Sequence, residues 1–355
     1  MLPAMATSSP PAMKNSGKRS SFTMTSYTTV KPPEEVPGGW RLKPASGRLA
    51  GAIVIGCIAL FWNGITWTIL IGSWRSEHGF VAGGITLFLS IFALLGALMV
   101  WAFIHQLLKA LFTPRLELTL STPRLVIGGA TELRWSITKA KQHLTDLKIS
   151  LQLREECQYR RGTDTITDLH EAHAITAYEH GEPDADGRCA LLVPTNLPPS
   201  FANKSNQLVW SIRLSGSVPG LPDVDDEYPI TVEPPQIVTA SITPAPLPAG
   251  TVLPEDSPLL TLTNGGTGVV PGAPIAGVVR APGKAVTLRL RWATSGKGDQ
   301  QGETVVTTLL AADAAGFILI LPSLPPLWQG TLLSFTWHLE AEVDGASLTA
   351  LTLTP

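Results

Sequence analysis

From Leu49 to Ile71 the chain runs about 23 residues without a charged side chain. From Phe80 to Leu108 it runs about 29 more, with His105 as the sole titratable group. Each run exceeds the roughly 20 apolar residues that cross a bilayer core. The connection from Gly72 to Gly79 is too short for anything but a hairpin of two antiparallel helices, and Trp74 and Trp101 stand where interfacial tryptophans are expected. A buried helical pair in a soluble protein would need a shell of partner helices. The 30 prolines of the chain, all outside the two runs, forbid that shell, because proline removes a donor and clashes within a helix. The fold class expected is therefore a membrane-anchored all-β protein, with a transmembrane hairpin over residues 49–112 (helices about 49–71 and 80–108) ahead of β structure.

The flanks set an expected orientation, since Lys and Arg near helix ends are retained on the cytoplasmic side. Lys14, Lys18, Arg19, Lys31, Arg41, Lys43 and Arg48 precede the first helix, Lys109, Arg115 and Arg124 follow the second, and the tip offers only Arg75. Both termini are expected in the cytoplasm of a bacterial inner membrane. Cys157 and Cys189 then read as reduced thiols, and Cys57 as packing in the membrane. Residues 1–48 are rich in Ser, Thr and Pro without apolar periodicity, which predicts a disordered basic arm. No apolar core with a small-residue cleavage site precedes residue 49, so a cleavable signal peptide is not expected. Residues 1–115 hold ten basic and three acidic side chains, and residues 116–355 hold 16 and 25. The basic arm is expected to face anionic lipid headgroups, each nearby Lys or Arg contributing about 1 kcal/mol. A nearly neutral total argues against nucleic acid as a partner.

After residue 115 the apolar period changes to two. Leu147, Ile149, Leu151 and Leu153 alternate with Lys148, Ser150, Gln152 and Arg154. The pattern recurs at Leu208, Trp210, Ile212, Leu214, at Val286, Leu288, Leu290, Trp292, and from Leu333 to Val343. Such strands, separated by Gly and Pro turns, predict antiparallel sandwiches with one wet face. An internal repeat orders them: the Leu147 strand, Gly187 to Pro194, Pro198-Pro199 and the Trp210 strand match the Val286 strand, Gly316 to Pro322, Pro325-Pro326 and the Trp337 strand. Two tandem sandwiches result, over residues 113–236 and 237–355, with the boundary at Glu233-Pro234-Pro235-Gln236.

The opening strand Leu116 to Leu120, the Gly128-Gly129 turn, the Leu133, Trp135, Ile137 strand and the long strand with Arg154 and Glu155 resemble arrestin-type, immunoglobulin-like β-sandwiches. Together with Phe61-Trp62-Asn63-Gly64-Ile65, Thr113-Pro114-Arg115 and Arg160 to Thr165, the pattern over roughly residues 45–235 resembles a bacterial two-helix inner-membrane family of unknown function. That resemblance implies no catalytic residues.

His170-Glu171-Ala172-His173, with Asp164 and Asp168 upstream, places two imidazoles and a carboxylate together. A zinc-protease helix needs its histidines at i and i+4, and here the second is at i+3 in a segment reading as strand or loop, so a solvated edge is the expectation. Gly277 to Ala285 lacks the spacing and the hydroxyl of a phosphate loop. Asn264-Gly265-Gly266-Thr267-Gly268 reads as a turn. No Gly-x-Ser-x-Gly elbow occurs. Asn63, in mid-membrane, must find a partner, either on the neighbouring helix or in an oligomer. The expectation is thus a non-enzymatic scaffold or interaction protein without a cofactor or metal, offering strand edges or loops to a protein partner or a second copy. The alternatives are an accessory subunit of a transport or envelope-assembly complex, and a membrane-bound metal-dependent hydrolase using His170 and His173.

Overall fold

The computed structural model describes residues 30, 32–45, 48–76, 80–138, 144–246, 260–280, 283–298, 300–311, 316–344 and 346–355. Lys14, Lys18, Arg19 and Lys31 lie outside the described residues, as does the side chain of Arg48.

Strands β1 (Glu34–Val36) and β2 (Gly39–Arg41) form a hairpin ahead of helices α1 (Arg48–Ser76) and α2 (Phe80–Phe112). Leu49–Gly72 and Leu87–Phe112 are long and apolar enough to cross a membrane, with mean hydropathies of 1.9 and 2.5. Leu60, Phe61, Leu87 and Leu94 point outward and are exposed, as suits a pair whose surroundings are hydrocarbon. Between the helices, small residues admit polar contacts. Gly96 leaves room for the Asn63 amide, whose Nδ2 donates to the carbonyls of Gly96 (3.1 Å) and Ala59 (2.8 Å). Trp62 Nε1 donates to the Phe92 carbonyl at 3.1 Å. Asn63 is therefore satisfied within the hairpin.

The first sandwich comprises β3 (Arg115–Leu120), β4 (Leu125–Val126), β5 (Ala130–Thr138), β6 (Thr145–Arg161), β7 (Asp164–His180), β8 (Asp186–Leu192), β9 (Phe201–Ala202), β10 (Asn206–Ser217), β11 (Val224–Ile230) and β12 (Val232–Glu233). A sheet ordered β1-β2-β3-β5-β8 faces one ordered β11-β10-β6-β7, with β9 on β10, while β4 and β12 pair in parallel.

The arm is therefore not disordered throughout residues 1–48. Trp40 and Arg41 pair with Leu120 and Thr119 on β3, and Leu42 is buried in the first core. Two apolar side chains and a free strand edge supply the driving force that the polar composition of the arm concealed. The membrane hairpin is in effect inserted into one sheet: the chain leaves it after Arg41 and re-enters at Arg115. Arg41 and Lys43, expected at lipid headgroups, lie within 3.3 Å of the carboxylates of Glu117 and Glu34.

The second sandwich comprises β13 (Ser241–Ala245), β14 (Leu260–Leu262), β15 (Pro274–Val279), β16 (Val286–Gly296), β17 (Gly302–Leu310), β18 (Gly316–Ile320), β19 (Trp328–Gln329), β20 (Leu333–Val343) and β21 (Ala346–Leu353). The order β10-β6-β7 recurs as β20-β16-β17, and β9 on β10 recurs as β19 on β20. Trp210 Nε1 donates to the Pro198 carbonyl at 2.9 Å, and Trp337 Nε1 to that of Pro325 at 3.1 Å. The units differ at their first strand: β3 pairs with β5, whereas β13 pairs with β18.

The sandwiches are not independent. Leu324, Leu332, Leu333 and Phe335 belong to the same buried cluster as the first core, and Phe201 packs edge-on to Phe335 at 4.9 Å. At the centre Glu155, fully buried on β6, accepts hydrogen bonds from the backbone N–H groups of Thr331 (3.2 Å), Leu332 (2.6 Å) and Leu333 (3.3 Å) and from Trp328 Nε1 (3.1 Å). Three successive backbone donors form a concavity suited to an anion. Gly330 is required beside it, because a Cβ there would collide with the Glu155 carboxylate.

Replacing Glu155 by Ala leaves those donors buried without an acceptor. The sandwiches of detergent-solubilised protein should lose about 3–5 kcal/mol in urea unfolding, against about 0.5 kcal/mol or less for the exposed Glu171→Ala. Asn63→Leu should weaken the helix pair by about 1 kcal/mol, read as a lower SDS mole fraction at the midpoint of helix-pair unfolding in mixed micelles.

Candidate functional site

The linker between the sandwiches builds the principal groove. β12 ends at Pro234-Pro235, which cannot extend a ladder. Beyond them the chain is clamped to Ser323: its Oγ donates to the Gln236 carbonyl (2.6 Å) and accepts from the Val238 N–H (3.0 Å), and its N–H donates to the Val238 carbonyl (3.2 Å). The two proline pairs that return each chain toward its tryptophan strand converge on the same place. A groove of about 630 Å³ results, walled by Pro198, Pro199, Pro234, Pro235, Pro271 and Pro326, with Pro355 at its margin. None of its lining side chains is charged, although residues 116–355 carry 41 charged side chains. Val270, 61% exposed, lines it, and Ile237, 66% exposed, lies between the lining residues Gln236 and Val238. An uncharged apolar concavity of this size with a few polar groups is the usual form of a binding site.

Register places the groove away from the helix pair. Thr113, next after α2, donates through Oγ1 to the Pro222 carbonyl, and Arg115 pairs with Thr138. The other end of that sheet holds Leu120, Ala130 and Leu192. The groove residues Ile127 and Thr195 follow from that second end.

A smaller cavity of about 480 Å³ lies under the β1–β2 segment, against Trp40, Leu42, Leu120 and Ile230. At its mouth Arg124 is paired with Glu233 at 2.6 Å.

The histidine segment is strand, not helix. β7 is the edge of its sheet, and a register shift between Leu153 and Arg154 separates His170, opposite Glu155, from His173, opposite Leu153. The extra residue at the bulge is Ala172, which is unpaired and packs against the first core. Asp168 is engaged elsewhere: its Oδ2 accepts from Tyr159 (3.2 Å) and from Lys297 of the second sandwich (3.1 Å), and that bond raises the Lys297 pKa. Among the described residues, no group of three or more His, Cys, Asp and Glu side chains could hold a metal ion. Asn264 to Gly268 is a turn held by the Asn264 side chain, with Gly265, Gly266 and Gly268 in the left-handed region.

The outer strands β7, β11 and β8 of the first sandwich are protected. β7 carries Asp164, Asp168, Glu171 and Glu179 together with its bulges, β11 carries Asp225, Asp226, Glu227 and Pro229, and β8 carries Asp186 and Arg188. Charge, proline and bulges all oppose edge-to-edge pairing.

Sequence reasoning passed over both Glu155 and the groove. A signal for Glu155 existed, since the alternation that buries Leu147 to Leu153 also turns Glu155 and Cys157 inward. The groove left only paired prolines, whose convergence is a tertiary fact. No family model matches the chain, and no curated protein matches it.

Cys57, Cys157 and Cys189 are free thiols. Burial, with the nearby Glu155 charge, pushes the Cys157 thiol up to about 11, and burial also raises Cys189. Because the folded thiol titrates above its unfolded value of 9.0, its contribution to stability is intact below pH 9 and is lost as pH rises toward about 11. Cys157→Ser should shallow the alkaline fall in melting temperature over that window. Maleimide should label Cys157 only on unfolding.

Proposed function

We propose that this chain is a membrane-anchored interaction protein, whose paired sandwiches present the proline-walled groove to a protein partner and perform no catalysis. The observation that carries the reading is the 630 Å³ groove at the junction, none of whose lining side chains is charged. Anchorage fits this role. Both ends of the helix pair return to one sheet, so the sandwiches are tethered by two chain passages and cannot swivel as on a single linker.

The flanking Lys and Arg residues support cytoplasmic placement of the sandwiches on the inner side of a bacterial membrane. The arrestin-like resemblance is in keeping with two tandem sandwiches joined across a buried junction.

The photo-reactive residue p-benzoylphenylalanine, placed in the full chain at Ile237 or Val270 and irradiated in cells, should give one discrete adduct. The same residue at Leu309, equally exposed on β17, should give none. Adducts from all three positions, or from none, would overturn the reading. A reporter fused after Pro355 should be active in the cytoplasm, and activity confined to the opposite side would overturn the placement.

A further inference from the structure

The register of the helix pair fixes a depth for the first sandwich. Gly56 faces the Phe103 ring and Asn63 bonds to Gly96. That antiparallel register brings Leu49, where the uncharged run of α1 begins, level with Ala110 near the end of α2. The first charged positions outward, Arg48 and Lys109, flank this level and mark the edge of the hydrocarbon, because charge is costly within it. Thr113 follows Ala110 by three residues, or about 5 Å at the helical rise. The headgroup layer is itself about 5–8 Å deep on each side of the bilayer. Thr113 therefore lies within that layer, and so does the segment it holds.

That segment is the β10–β11 turn. Thr113, itself buried, donates through Oγ1 to the Pro222 carbonyl at 3.2 Å. The turn is compact: Leu221 N–H donates to the Val218 carbonyl (3.0 Å) across Pro219 and Gly220, with Gly220 at a φ of 76°, the pattern of a type II turn. Pro219 and Gly220 are exposed, and no charged residue occurs from Leu214 to Pro222. Leu111 and Phe112, just before Thr113, are exposed as well, so apolar surface stands on both sides of the Thr113–Pro222 bond. The opposite corner of the same end differs. Ser217 pairs with Thr145 and Leu147 with His180, so the β7–β8 turn shares this end of the sandwich, yet it carries Glu182 and Asp184. In the order β11-β10-β6-β7 the two turns stand at opposite edges. Carboxylates avoid an anionic surface, whereas an uncharged turn enters its headgroups at little cost. Resting on the membrane-anchored reading but not on the groove, we infer that the first sandwich leans onto the lipid surface at Pro219 and lifts its β7–β8 corner into water. Asp223, and Asp225 held by Arg213 at 3.0 Å, bound the immersion: the turn meets headgroups and stops short of hydrocarbon.

The test uses the full chain reconstituted in vesicles of phosphatidylcholine and phosphatidylglycerol, with p-benzoylphenylalanine at one position at a time and adducts read by intact mass. Irradiation should add the mass of one phospholipid at Pro219 and at Leu94, which is exposed in mid-helix. It should add none at Ala185 of the β7–β8 turn or at Leu309. An unchanged melting temperature shows that each variant is folded. A second reading uses a chain carrying Cys57→Ala and Cys189→Ala, with an NBD fluorophore on Pro219→Cys or on Ala185→Cys. Phospholipid bearing a headgroup nitroxide should quench the dye on the first and spare the dye on the second. Lipid adducts at Leu94 without one at Pro219, or equal quenching at the two dye positions, would overturn the inference and leave the anchor standing. A cross-link from Pro219 to a second copy of the chain, in place of lipid, would also overturn it. Absence of lipid adducts from both Leu94 and Pro219 would remove the anchor as well.

Discussion

The Glu155 carboxylate is the contact on which the arrangement of the two sandwiches depends. A carboxylate taken out of water carries a desolvation cost of several kcal/mol, and only complete hydrogen bonding offsets it. Three consecutive backbone N–H groups and the Trp328 indole provide that bonding in a single geometry. Apolar neighbours such as Phe201, Leu332 and Phe335 contribute burial but tolerate sliding. The buried charge does not, so the polar contact sets the register of the junction while the apolar cluster supplies much of its free energy. The groove lies at that same junction, and its walls come from both units. Its shape therefore depends on a contact made outside it.

A second constraint comes from the membrane hairpin. It interrupts a sheet, with β2 pairing across the gap to β3. Residues on both sides of the helix pair must therefore lie on one face of the membrane and fold together. This arrangement also accounts for the basic residues nearest α1. Arg41 and Lys43 neutralise Glu117 and Glu34 on the sheet, a local use of charge that a count of flanking Lys and Arg does not distinguish from attraction to lipid.

Much of the architecture is legible in one dimension because its causes are local. Two uncharged runs of sufficient length specify helices whatever the rest of the chain does, and Asn63 announces that a polar partner is needed. Period-two alternation specifies strands with a buried face, and repeated Gly, Pro-Pro and Trp landmarks specify two units of similar topology. The β1–β2 hairpin was hidden for a physical reason: three-residue strands are too short to show a period, and their stability derives from an edge more than 70 residues later in the chain. The difference between β3 and β13 pairing was hidden likewise, since either neighbour satisfies the same alternation.

The sequence alone determined the helical anchor, the all-β class, the division near Pro234-Pro235 and the inward direction of Glu155, because each follows from spacing between residues close in the chain. The tertiary structure decided what Glu155 meets, that the two cores join, and that prolines separated by up to about 130 residues enclose one uncharged groove. Those outcomes depend on which surfaces approach after the strands have formed. Burial and hydrogen-bond completion select that approach, and neither leaves a periodic trace in the order of residues.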